Sequence, residues 1–426
     1  FFFVLVMPSE PEPSAICAPT CGVFTTEDLR RLRDDTPGAQ QVVHFNNAGA
    51  ALQPSSVTQA MVEHLQEESL TGGYEAAAKH RSRQMSTYTT LARLIGADAS
   101  EIAIVENATV AWREAFAAVP LAASDTVVCS VAEYHANYIP LMQMSKRIGI
   151  KVKVVPDDAD GALDLEKLQA ILAQDKSVKL IALTHVPTNG GLVNPAAAVG
   201  ALAKQYQVLY LLDACQSVGQ MPIDVNALNC DMLSATARKF LRGPRGIGFL
   251  YVRTASLSRL NEPYQMDGYG AAWSGPNTYE PRPGAQRFEN WEFNVAAVIA
   301  FGVAVEYALQ VGIDRIWVRI QHLAGLLRQK LRAIDGVTVC DKGSVQCGII
   351  SFSVAPVPAA DLQAFLHAQK VNITHSGAHS TMLDMHARGL KEVCRASVHY
   401  YNTEQELEHV AGLVAQFLKD AASHPK

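Results

Sequence analysis

Between residues 100 and 250, short apolar runs alternate with segments of helical periodicity, and few folds accept that pattern. The runs cover 102–105, 126–129, 151–155, 180–183 and 208–212, and helical stretches follow at 110–118, after His135, at 164–173 and at 196–206. A strand that is apolar along its whole length has no face left for water. The alternation therefore predicts a mostly parallel sheet covered by helices on both sides, an α/β architecture. In such sheets ligands collect at the carboxyl ends of the strands. Thr109, His135, Thr188 and Asp213 each follow a predicted strand end.

Asp213 closes the run 208–212. Lys239 stands about two dozen residues later, in the small and hydroxylated setting Ser-Ala-Thr-Ala-Arg-Lys, before a Gly/Pro-rich turn and another apolar run. A carboxylate at the end of a buried strand and a lysine in a nearby loop suit pyridoxal phosphate. The lysine amine can condense with the cofactor aldehyde, and the aspartate can keep the pyridine nitrogen protonated. Asn107-Ala108-Thr109 opens a helix, where backbone N–H groups form an anion site or an ordinary cap.

The chain has 426 residues, 49% hydrophobic and 18% charged, with a net charge of −5. That length predicts a large and a small domain, divided as 25–305 and 306–426, with 1–24 as a Pro/Ser/Ala-rich disordered lead and the N-terminal part of the large domain packing on the small one. No basic block supports nucleic-acid binding. The apolar stretch at 1–7 is too short to span a membrane; residues 1–6 are read as preceding the true start at Met7, with a truncated signal peptide as the alternative. Eight scattered cysteines, only Cys17 and Cys21 close together, point to a reducing, cytoplasmic setting and away from a zinc site. Residues 260–292 read as one long irregular loop, and 397–401 as a strand. His375, His379 and His386 match no metal-ligand spacing, so no metal is expected.

Six segments in this order resemble the class V aminotransferase superfamily of fold type I pyridoxal-phosphate enzymes, which includes cysteine desulfurases, selenocysteine lyases and isopenicillin-N-epimerase-like proteins. They are 44–51 (HFNNAGAA), 107–109, 133–137 (EYHAN), 185–195 (HVPTNGGLVNP), 213–216 (DACQ) and 394–403 (CRASVHYYNT). The resemblance spans roughly 44–418. It implies a seven-stranded-type sheet in a large cofactor-binding domain and a small C-terminal α+β domain. It also implies a cofactor pocket of Ala108, Thr109, His135, Thr188, Asp213, Gln216, Thr236, Arg238 and Lys239. His135 would stack on the ring, Gln216 would reach its phenolic oxygen, and Thr236 and Arg238 would hold the phosphate. Lys239, His135 and Asp213 would do the chemistry. Asn47 and Ala48 at the mouth would meet the substrate, whose carboxylate Arg395 would clamp bidentately. The substrate would be a small amino acid or cysteine conjugate. The partner would be a second copy of the chain, with 265–292 completing its site and with Trp273 and Trp291 in the core or at that interface.

Three departures bear on the reaction. Thr236-Ala-Arg-Lys239 stands where Ser-Gly-His-Lys is common, and Thr188 where desulfurases usually carry asparagine. In the loop Thr374-His-Ser-Gly-Ala-His-Ser380, Ser380 takes the place of the sulfur-accepting cysteine. A persulfide needs a thiolate, and Cys394 beside Arg395 reads as structural. The expected reaction is therefore carbon–sulfur elimination without an enzyme-bound persulfide, with transamination and Cα epimerisation as alternatives.

Overall fold

The computed structural model describes residues 24–423. The apolar start, the Cys17/Cys21 pair and all but the last residue of the expected disordered lead lie outside the described residues. That last residue, Phe24, is buried, stacked on Tyr400 at 6.2 Å and covered by the Arg315 guanidinium at 4.4 Å.

The apolar runs form a seven-stranded sheet in the order Ile102–Val105, Gly248–Val252, Met232–Thr236, Leu209–Asp213, Val178–Thr184, Thr126–Ser130 and Lys151–Val155. Only Gly248–Val252 runs antiparallel to its neighbours. The connection before it, 237–247, is too short for a crossover helix, so the chain returns antiparallel. The two-residue period sorts side chains onto two cores. Leu180, Ala182, Leu209, Leu211 and Met232 pack on one side. Ile181, Leu183, Tyr210, Leu212 and Leu233 pack on the other. Each buried Leu or Ile contributes about 1.5–3 kcal/mol, which explains why Leu209–Asp213 and Met232–Thr236 carry no charge along their length and Asp213 stands only at an end.

Strand order reverses between Thr126–Ser130 and Val178–Thr184. The connections leave in opposite directions there and open a crevice at the carboxyl ends. The Ala108–Ala117 helix begins two residues earlier than read from sequence. Asn107, not Thr109, caps it, its Oδ1 accepting from the Val110 amide at 3.0 Å.

A second, antiparallel sheet orders Thr338–Val339, Ile349–Ser353, Glu392–Ser397 and Thr374–Gly377. Val43–His44 pairs with Val371–Asn372, and Asn46 bridges to Ser397, so the stretch before residue 50 joins this C-terminal part. The helix Val295–Val311 runs through the expected boundary at 305/306 and ends at Gly312. Among the described residues no single helix is long and apolar enough to cross a membrane. Val295–Val311 and Ile313–Arg332 would reach that length only together, and they bend by 76°.

Two expectations are corrected. Within 260–292 the chain forms an antiparallel hairpin, Ala271–Gly275 with Thr278–Pro281. It is mostly exposed, and its short strands carry no buried apolar stripe that a pattern of letters would show. The strand placed at 397–401 ends instead at Ser397. Residues 399–401 turn inward, and Tyr400 and Tyr401 lie 5.2 and 4.5 Å from the buried Arg242 guanidinium. Packing around that cation outweighs the strand propensity of Val, Tyr and Tyr.

Candidate active site

The strands of the large sheet end at a cavity of about 580 Å³. Ala108, Thr109, His135, Thr188, Asp213, Gln216, Thr236, Arg238 and Lys239, the whole predicted cofactor set, line it, together with Tyr134, Asn137, Thr184 and Cys215.

Asp213 is the last residue of its strand. Its Oδ1 accepts from the Cys215 amide at 2.9 Å and its Oδ2 from Asn137 Nδ2 at 2.8 Å. Opposite it, the Ala108–Ala117 helix points its N-terminus at the cavity, with the first amides lacking helical acceptors. Gly248 makes this possible: a Cβ there would lie 2.5 Å from the Ala235 carbonyl and 3.1 Å from the Ala108 nitrogen. Thr236 ends the neighbouring strand.

Lys239 sits in a turn fastened by backbone bonds from Arg242 to Lys239 at 2.9 Å and from Gly243 to Ala237 at 2.8 Å. Gly219, at φ +93°, lets another segment pass close behind. A Cβ there would stand 2.5 Å from the carbonyl carbon of Phe240. Arg242 holds the far side of the turn, donating to the Leu52 carbonyl, the Tyr400 hydroxyl and Thr36 Oγ1 at 2.8, 2.5 and 2.6 Å. Desolvation pulls the Lys239 ammonium below its usual range, against Cys215 and with Arg238. That shift favours the free amine a carbonyl requires.

His135 starts the helix His135–Ile148, its ring 4.2 Å from that of Tyr134 and 6.3 Å from that of His379. Burial, then His379, holds the imidazole below its ordinary pKa, so it faces the cavity as a neutral ring at neutral pH.

The other side comes from distant segments. Arg395 is buried on the strand Glu392–Ser397. Its Nη1 donates to the Thr188 hydroxyl at 2.5 Å and the Thr188 carbonyl at 3.3 Å, and its Nη2 to Asn46 Oδ1 at 3.5 Å. Burial lowers it to about 10, which leaves it charged. Asn47 spends its amide elsewhere: Nδ2 donates to the Ser397 carbonyl at 2.7 Å, and Oδ1 accepts from Tyr401 at 2.5 Å. The Ala48 carbonyl accepts from Gln216 Nε2 at 3.1 Å. Its neighbour Asn46, rather than Asn47, reaches Arg395. Arg238 donates to the Gly49 carbonyl, tying the lysine turn to this mouth.

Asn137, Tyr134 and Cys215 stand inside the sequence motifs, and no pattern in the sequence marks them out individually. The position of Glu133 to Asn137 between a strand end and the start of the next helix was the available signal, since ligands gather at such ends. Ser380 lies in the turn Ala378–Thr381 and accepts from Ser376 Oγ at 3.1 Å, next to the His379 that faces His135. Cys394 is buried, its thiol pushed up to about 12 by desolvation.

The donor set fits pyridoxal phosphate. A carboxylate stands at one end for the ring nitrogen and a helix N-terminus with Thr109, Thr236 and Arg238 at the other for the phosphate. Lys239 lies between, and the buried Gln216 Oε1 has no partner of its own.

Residues 43–410 match the family described as Aminotransferase class-V. A cysteine desulfurase of Cronobacter sakazakii is 30% identical over 407 residues, covering 91% of this chain and 97% of the relative. Among solved structures, the apo cysteine desulfurase of Thermococcus onnurineus superposes with a TM-score of 0.85 at 24% identity, over 93% of this chain and 99% of that one. The cystine C–S lyase C-DES, in complex with cysteine persulfide, gives 0.80 at 21% identity, over 89% and 99%. With this fold and this site, the chain belongs to the class V aminotransferase family and is a pyridoxal-phosphate-dependent enzyme.

Proposed function

We propose that the enzyme is a carbon–sulfur lyase that eliminates the sulfur of cysteine or a cysteine conjugate without carrying it on a protein thiol. The observation that carries this reading is the setting of the thiols and of Ser380. The loop nearest His135 offers a hydroxyl. The cavity thiol, Cys215, is pushed well above its usual pKa by burial and Asp213, so it supplies no thiolate to accept sulfur. The names of the relatives supply the sulfur chemistry: one is a cysteine desulfurase and another a cystine C–S lyase.

Pyridoxal phosphate, when bound, supplies an electron sink for the pair left at Cα after its proton is removed. The protein does the rest. Lys239 holds the cofactor and yields its place to the substrate amine. Its freed amine then takes the proton from Cα. Asp213 keeps the proton on the ring nitrogen, while His135 and Cys215 help enclose the ring. Ala108, Thr109, Thr236 and Arg238 hold the phosphate, and Gln216 the phenolic oxygen. Arg395 fixes the substrate carboxylate, steadied by Thr188 and Asn46. The Cβ–S bond then breaks, the thiol leaves with a proton, and hydrolysis of the remaining product gives pyruvate and ammonia.

A homodimer is part of the reading. Trp273, Tyr264, Tyr74 and Trp291 are 82%, 78%, 76% and 58% exposed, and large apolar groups left in water mark an interface. The 265–292 segment would then complete the partner's site. A large domain at 25–305, a small one at 306–426 and a cytoplasmic setting belong to the same proposal.

The test is product analysis on protein that shows the visible absorbance of bound cofactor. Cysteine or its conjugates should give pyruvate with sulfide or thiol, with no oxo-acid required. Pyruvate from alanine that appears only with an oxo-acid acceptor would replace this reading with transamination. Lys239→Ala should abolish the lysine-linked band and lower turnover by about a thousandfold or more.

A further inference from the structure

Behind Asp213 lies a second carboxyl that the scheme above does not use. Glu133 is 4% exposed. Its Oε1 accepts from the Tyr134 amide at 3.1 Å, from Asn137 Nδ2 at 3.0 Å and from the Thr184 hydroxyl, and its Oε2 accepts from the Thr184 amide at 3.3 Å. None of the ion pairs among the described residues involves it. Asn137 turns the same amino group on Asp213 Oδ2 at 2.8 Å. One NH₂ thus joins two carboxyls, one hydrogen to each. Flipping the amide would set its oxygen against both, so the pair fixes Asn137 in a single orientation.

We propose that Glu133 is a positioning residue for the cofactor: through Asn137, its charge sets how firmly Asp213 holds the proton on the ring nitrogen. This rests on the pyridoxal-phosphate reading of the cavity. Two carboxylates bridged by one amide in a dry site repel each other, and one of them favours the neutral form. The ionisable groups facing Glu133 are Asp213 across Asn137 and the Cys129 thiol on the Thr126–Ser130 strand, which burial pushes well above its usual range. Its other neighbours, Thr184, Asn137 and the Tyr134 amide, are uncharged donors. Burial without a countercharge pushes Glu133 up to about 7, so its charge changes in the working range. Ionised, Glu133 adds its field to that of Asp213 and raises the proton affinity of the ring nitrogen. Neutral, it withdraws that support, and Asp213 acts alone.

The experiment follows holoenzyme carrying cofactor ¹⁵N-labelled at the ring nitrogen. The nitrogen shift and the visible band are recorded from about pH 5.5 to 9. Wild type should show an inflection near pH 7. Glu133→Gln keeps the size and an acceptor oxygen, and should lose the inflection while retaining full cofactor occupancy. Thr184→Val removes a donor to the carboxylate and should move the midpoint up by about 1 pH unit. A midpoint retained in Glu133→Gln, or no inflection in wild type that binds cofactor normally, overturns the inference and leaves the cofactor reading intact. Wild type that takes up no cofactor at Lys239 overturns both. If Glu133→Gln does not fold, Thr184→Val decides, an unmoved midpoint counting against the inference.

Discussion

The cavity has a floor and a roof, and they are built in different ways. Asp213 and Thr236 end strands of the large sheet, while Thr109 and His135 stand within a few residues of other strand ends. The pairing of those strands fixes their positions. The roof instead joins three distant stretches of chain, at 44–51, 185–195 and 374–395. Bonds to the second sheet and to the loop 340–348 between two of its strands hold it, among them Gly190 N to Ser351 Oγ at 2.9 Å, Cys347 N to the Gly191 carbonyl at 2.8 Å and Lys342 Nζ to Asp384 at 2.8 Å. In the proposed reading the floor meets the cofactor and the roof the substrate. A floor set by one sheet can stay constant while roof loops change, which is how one cofactor site serves several reactions.

The largest expected effect separates the two by stability. Arg328 and Asp341 form a buried pair at 2.7 Å under the roof, where Arg328 also donates to the Cys347 and Ile349 carbonyls at 2.8 Å each. Asp341→Ala strands the guanidinium and should cost about 3–5 kcal/mol in chemical denaturation. At permissive temperature the cofactor band should stay unchanged. A band lost in parallel would mean that floor and roof are one unit.

His185 stands at the joint, its amide bonded to the Asp213 carbonyl at 2.9 Å and its carbonyl accepting from Asn194 at 2.8 Å. Burial lowers its imidazole to about 4. The unfolded chain takes up this proton below about pH 6.5, whereas the folded chain resists until about 4. Stability should therefore be constant above that window and fall by ~3 kcal/mol as pH drops through it. Glu133 and Glu289, both raised to about 7, slope the other way between about 4.5 and 7. The informative quantity is thus the difference from His185→Gln, measured by denaturation at several pH values. Equal slopes for the two proteins would show that His185 is not the joint's acid-sensitive group.

The same contrast explains what the sequence revealed. Floor residues follow apolar runs, and a run's end is visible in a string of letters. The mostly parallel sheet, and the residues that line one cavity at its strand ends, were therefore legible in 102–239. Roof contacts join residues hundreds of positions apart, such as Asn46 with Arg395 and Asn189 with Thr381. No local pattern encodes them, so the contact of Asn46 with Arg395 shows only in three dimensions. Arg242 was invisible for the same reason: a buried arginine amid Tyr307, Tyr400 and Tyr401 has partners only in three dimensions. The exposed hairpin at 271–281 buries no alternate face and had no periodicity to show.

Roof substitutions should change substrate handling rather than the cofactor spectrum. Arg395→Lys replaces a planar fork with a point charge and loses the simultaneous reach to Thr188 and Asn46. KM for cysteine should rise by about 10–100-fold, or ~1.4–2.8 kcal/mol, with the absorbance band in place. A fall in kcat with unchanged KM would move Arg395 from binding to chemistry.

Ser380→Cys should have the smallest effect on turnover and the most specific effect on products. The turn Ala378–Thr381 sets Ser380 one residue past the histidine that faces His135, where sulfur leaving Cβ would pass. An introduced thiol that ionises there can attack the substrate sulfur before it departs. The sulfur would then remain on the protein as a persulfide, and the carbon skeleton would leave as alanine instead of pyruvate. Alkylation and intact-mass measurement after one turnover with cysteine should find one added sulfur, and the alanine to pyruvate ratio should rise with it. Pyruvate unchanged and no added sulfur, in a variant that still binds cofactor, would place the departing sulfur away from this loop. The roof's claim to select the reaction would then pass to Tyr134 and Cys215 inside the cavity.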